Sequence, residues 1–134
     1  MTKDNRTRTL TKAETEIMNI LWDSGKALTT HEIIAHYSDP KPAYSTIATF
    51  LKILTKKEFV WSKKQGSGSK TLVFMPRITR EMYANRVMRD IKDSLFGGSL
   101  KSMFSFFAQH EELSDEDLQE IISIIKANNP TICS

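Results

Sequence analysis

Between residues 43 and 76 the chain changes its period, and this switch narrows the folds open to it more than any other feature. Ile47, Phe50, Leu51 and Leu54 stand at the i, i+3, i+4, i+7 spacing of a helix with one core-facing stripe. From Phe59 the pattern alternates. Phe59-Val60-Trp61 predicts one strand, Lys63-Lys64-Gln65-Gly66-Ser67-Gly68-Ser69-Lys70 a flexible loop, and Thr71-Leu72-Val73-Phe74-Met75 the return strand, closed by Pro76. A helix that runs straight into a hairpin with a basic base is the outline of a winged helix-turn-helix, provided two helices precede it.

They do. Thr11 with Glu14 three residues later predicts a capping box, and Ala13, Ile17 and Leu21 then share a face that Met18, Ile20 and Trp22 widen. Gly25 ends this helix. Thr29 and Glu32 repeat the signature and open a short helix with Ile33, Ile34 and Tyr37, which stops before Asp39-Pro40-Lys41-Pro42 because proline disfavours helical geometry in its predecessor. The first ten residues are polar and basic without a period and are assigned to a disordered arm.

The third helix, starting near Tyr44 or Ser45, carries Ser45, Thr46, Ala48, Thr49, Lys52, Thr55 and Lys56 on its other face. Short hydroxyls and methyls at its N-terminal end can approach base edges, donating, accepting or touching thymine methyl groups, and the helix N-terminus favours a phosphate. Taken alone, the face reads equally well as solvated helix surface. Lys63, Lys64 and Lys70 at the base of the hairpin add cations beside a glycine-rich backbone that can follow a phosphate ridge.

Beyond Pro76 the composition turns to longer helices. Thr79 caps one with Met82, Tyr83, Val87, Ile91 and Leu95 as its stripe, ending at Gly97-Gly98. Leu100, Met103, Phe104, Phe106 and Phe107 crowd a second, and Ser114 opens a third whose acids Asp115, Glu116 and Asp117 suit the helix dipole and whose buried edge is Leu118, Ile121, Ile122 and Ile125. Three short helices expose more apolar surface than they can cover, so Val87, Ile91, Leu95, Leu100, Met103, Phe104, Phe106, Phe107, Leu118, Ile121, Ile122 and Ile125 are expected to meet a second copy of the chain. The expected organisation is an arm over 1–10, a winged-helix domain over 11–76 and a helical dimerisation region over 77–134. The fold class is mainly α with a small β-hairpin.

Charge follows the same division. Residues 1–76 carry a net +5 and the remainder −2, within a total of +3. A basic first half suggests a polyanionic partner. Enzymatic chemistry has little support: His31, His36 and His110 stand isolated from any recognisable catalytic motif and read as ordinary surface, and no glycine loop cradles a phosphate. No metal or small-molecule cofactor is expected, and Cys133, the only cysteine, reads as a free tail thiol. With no long apolar run and no apolar segment near the start, a cytoplasmic protein is expected. The rival to a DNA-binding repressor is a winged helix that docks a protein without reading DNA. The lysines along the third helix and hairpin favour DNA.

The residues also resemble a known family, the BlaI/MecI-type penicillinase and methicillin-resistance repressors. LTKAETEIMNILWDSGKALTTHEI, STIATFLKILTKKEFV, the basic hairpin and FGGSLKSMFSFFAQHEELSDEDLQEI carry the resemblance, in that order, from about Leu10 to Lys126. It implies a homodimer with N-terminal winged helices on an inverted-repeat double-stranded operator and C-terminal helices joining the protomers. It also implies derepression in response to β-lactams, when a membrane sensor protease triggers cutting in the apolar helix after the double glycine. The family's usual Asn-Phe bond corresponds here to Ser105-Phe106. Two further positions depart from the family pattern: Ala48 stands where arginine is frequent, and Glu58 where glycine is usual. The cysteine cluster of the copper-responsive branch has only Cys133 to match it.

Overall fold

The computed structural model describes residues 9–128. Its elements run α1 (Lys12–Ser24), α2 (Thr30–Ala35), α3 (Tyr44–Lys56), β1 (Val60–Lys64), β2 (Leu72–Pro76), α4 (Arg80–Leu95), α5 (Leu100–His110) and α6 (Asp115–Asn128). Two compact units result, one ending at Val87 and the other beginning at Met88, so the division falls inside α4.

In the first unit, local chemistry sets the helix ends. Thr11 accepts from the Glu14 amide while Glu14 accepts from the Thr11 amide, and Thr29 and Glu32 do the same for α2. These reciprocal bonds satisfy amides that have no partner within the helix. Gly25 closes α1 at φ 67, a conformation that glycine adopts without steric cost. The core then assembles from Ile17, Met18 and Leu21 of α1, Ile33 of α2, Ile47, Leu51 and Leu54 of α3, and Leu28, Phe59, Val60 and Phe74.

The hairpin is antiparallel, in the register Val60↔Pro76, Ser62↔Phe74, Lys64↔Leu72. A further bridge joins it to the α1–α2 connection: Leu28 and Phe74 exchange amide-to-carbonyl bonds of 3.1 and 2.8 Å. Strand β1 runs through Lys64, so Lys63 and Lys64 belong to a strand and not to the loop. The cross-strand ladder holds them extended although lysine is a poor strand former. The tip is itself tied, by Gln65 N–H to Thr71 O at 2.8 Å and Ser69 N–H to Gly66 O at 3.0 Å.

Leu10, assigned to the arm, is instead buried in the core, and its amide donates to the Tyr83 hydroxyl at 2.7 Å. Residues 1–8 of that arm, and Cys133, lie outside the described residues. The first turns of α4 pack on the winged helix: the Trp22 indole donates to Ile78 O at 2.8 Å, Tyr83 meets Phe59 edge-on at 5.4 Å, and Arg80 pairs with Asp23 at 2.7 Å while lying over the Trp22 ring. These contacts explain why the first unit continues past Pro76.

The second unit consists of the rest of α4, then α5 and α6. Ser99 caps α5 through the Ser102 amide, and Ser114 caps α6 through the Asp117 amide. Phe106 packs between Phe96, at 5.6 Å, and the His110 ring, stacked at 4.3 Å. No described helix is long and apolar enough to cross a membrane.

Candidate nucleic-acid interface

The geometry of α3 follows from its attachment. Ile47, Leu51 and Leu54 are buried, which turns Ser45, Thr46, Thr49, Lys52 and Lys56 outward, with Ala48 half-buried at the edge. Ala43 caps the helix without a side-chain hydrogen bond, so the N-cap residue itself leaves the first amides of α3 uncapped. Such amides attract phosphate oxygens. The Thr49 hydroxyl, however, donates to Ser45 O at 2.8 Å, and Thr55 donates to Leu51 O at 2.7 Å. With its proton committed to Ser45 O, the Thr49 hydroxyl presents its lone pairs outward as acceptors.

The C-terminal end of α3 is anchored by charge. Lys57 Nζ lies 2.7 Å from Glu14 Oε1 and 3.0 Å from Thr9 O. Glu14 is only 2% exposed. Burial works to raise its pKa, yet hydrogen bonds from Lys57 and the Thr11 amide, with the charge of Lys57, outweigh burial and hold the carboxyl below its ordinary 4.5. Of the adjacent lysines at this end, Lys56 therefore faces solvent and Lys57 serves the scaffold. Glu58, at the position where the family resemblance puts glycine, has φ 69 and is the one described non-glycine residue in the left-handed region.

The hairpin lysines do not act as one cluster. Successive strand residues point to opposite faces, so Lys64 shares a face with Ser62, Leu72 and Phe74, whereas Lys63 shares one with the exposed Trp61. The Ser62 face looks toward α3 across a groove of about 580 Å3, walled by His31 of α2, Tyr44 and Lys52 of α3, and Lys70, Leu72 and Phe74 of the hairpin. His31 and Tyr44 set their rings 4.8 Å apart. From the sequence alone His31 reads as ordinary surface and Tyr44 as a helix boundary. Only their juxtaposition across two helices reveals them, and no local pattern encodes it.

Of the residues expected to join protomers, Leu95, Leu100, Phe104, Phe106, Phe107, Leu118 and Ile125 are exposed, and Val87, Ile91, Ile121 and Ile122 half-buried. Met103 differs: at 5% exposure it is already covered within one protomer. Its i, i+3, i+4 spacing from Leu100, Phe106 and Phe107 put it on an apolar helix face without saying which side of that face turns inward. The Ser105–Phe106 bond lies within α5, both residues exposed.

Comparison with known proteins follows the same outline. The family model described as Penicillinase repressor matches residues 10–127. A penicillinase repressor of Staphylococcus aureus is 26% identical over 122 residues, covering 90% of this chain and 94% of that protein. One from Bacillus licheniformis is 27% identical, covering 87% and 89%. The methicillin resistance regulatory protein MecI of Staphylococcus aureus strain N315 is 27% identical, covering 91% and 97%.

Proposed function

Because the chain belongs to the penicillinase repressor family, a family of transcriptional repressors and not of enzymes, we propose that it is a cytoplasmic homodimer that represses transcription from an inverted-repeat operator. The observation that carries this reading is the outward face of α3, where Ser45, Thr46 and Thr49 precede Lys52 and Lys56 on a helix held rigidly from behind. In the reading, Ser45, Thr46, Ala48 and Thr49 meet base edges in the major groove. Lys52, Lys56, Lys64 and Lys70 hold phosphates, and Lys63, on the far face of the hairpin, reaches a phosphate only from the wing's outer side.

The apolar side chains exposed on the second unit support dimerisation, since Leu95, Leu100, Phe104, Phe107 and Leu118 would otherwise stay in water. Cutting at Ser105–Phe106 by a protease answering a membrane sensor would sever α5, weaken the dimer and so lower affinity for both half-sites together.

A mobility-shift titration tests the reading. If the dimer neutralises about six to ten phosphates, affinity falls by roughly a thousand to a hundred thousand-fold between about 50 and 200 mM salt. A flat response refutes it. Cleavage is tested by mass spectrometry of the repressor from β-lactam-treated cells, where recovery of intact chain alone under derepressing conditions removes that part.

A further inference from the structure

The groove between α2, α3 and the hairpin has a composition that a sugar-phosphate backbone does not explain. Its floor is apolar, formed by Leu51 and Phe74, and Leu72 stands half in solvent on one wall. The paired rings of His31 and Tyr44 form the opposite wall. Lys52 and Lys70 face it from different elements, and no aspartate or glutamate among the described residues lines it. At about 580 Å3 it falls within the range of small-molecule sites, which combine an apolar body with a few convergent polar groups.

We propose that this groove binds a small aromatic carboxylate, and that the bound ligand displaces DNA. The apolar floor and the aromatic wall would take the ring system, and the two lysines would take the carboxylate. The occupant is an anion because cations converge on the groove without acidic counterparts. It is amphiphilic because a purely ionic ligand would leave the half-exposed Leu72 side chain and the Tyr44 ring in water. Displacement rests on the repressor reading, in which Lys52 and Lys70 hold phosphates: a carboxylate that engages both removes two of those contacts and fills the space beside α3.

The test titrates the full-length protein with naphthoate, and in parallel with uncharged naphthamide, following methyl and ring resonances of Ala48, Leu72 and Tyr44. The expected result is saturable shifts at these residues, with naphthamide weaker by at least about tenfold. Ser62→Phe fills the groove while leaving both lysines in the chain and should weaken naphthoate by a similar factor. Leu72→Ser, at an exposed strand position, is the second variant should Ser62→Phe fail to fold. In an anisotropy assay with operator DNA, naphthoate should release the DNA where sodium chloride of equal ionic strength does not. Shifts confined to α5 and α6, equal binding of naphthamide, or no saturation by about 10 mM overturns the site. The resonance titration decides this whether or not operator DNA binds. Absence of operator binding at every salt concentration fails the repressor reading alone, and saturation of the groove without DNA release overturns the displacement.

Discussion

Replacing Lys57 by methionine isolates the ion pair that anchors the reading helix. The substitution keeps most of the apolar stem of a side chain that is 17% exposed, and removes the charge 2.7 Å from Glu14 Oε1. Glu14 would then be a buried carboxylate that keeps its bonding to Thr11, whose amide lies at 2.8 Å, but has lost the cation. Removing one partner of a buried pair costs about 3–5 kcal/mol, and the surviving amide bond puts this case near the lower end, about 3 kcal/mol. For a unit of this size that is roughly 12–24 °C in melting temperature. In the native protein Glu14 has a lowered pKa, so its contribution is complete above its ordinary 4.5 and disappears as pH falls through the lower folded value. In Lys57→Met, burial without the cation raises the folded value instead, so the penalty is complete at neutral pH and fades once the carboxyl protonates. Urea unfolding of both proteins at one protomer concentration should give a difference of about 3 kcal/mol near pH 7.5 that shrinks to roughly 1 kcal/mol near pH 4. Adding Glu14→Gln to Lys57→Met removes the stranded charge and should recover part of the loss. A pH-independent difference, or a double variant whose losses simply add, would refute the argument.

Glu58→Gly relieves a left-handed backbone at some entropic cost, and thermal unfolding should show a gain of about 0.5–1 kcal/mol, a loss counting against the strain. Thr49→Val removes the acceptor on α3, and selection from randomised operators should show one base position relaxed by about 1–3 kcal/mol with the salt slope unchanged. Lys52→Ala should weaken all operator variants alike and lower the salt slope by about one. Phe104→Glu on the exposed face of α5 should shift sedimentation at micromolar concentration toward monomer, and an unchanged dimer would remove this face from the interface.

Much of the first unit was legible because its signals are local. Thr11 with Glu14 and Thr29 with Glu32 mark helix starts within four residues, and the alternation after Phe59 marks the hairpin. What escaped depends on distant partners. Glu14 and Lys57 are 43 positions apart, so the carboxylate was legible as a cap and not as half of an ion pair. Leu10 looks like the end of a polar arm until Tyr83 and the core are in place around it. Lys63 and Lys64 have loop-like composition, and only the ladder with Leu72 and Val73 makes them strand and sends them to opposite faces. The donor side of Thr49 was hidden for a different reason: a hydroxyl on a helix can bond backward to the preceding turn, and composition does not say when it does.

The paired backbone bonds between Leu28 and Phe74 set rules for anyone building hybrids of this chain. A foreign tip spliced between Gln65 and Thr71 leaves that tether untouched, and even a doubled loop length adds only about 0.6 kcal/mol to closure. A transplant of the entire return strand is another matter. It must fit the connector ahead of α2, or the wing loses one of its moorings to the rest of the domain.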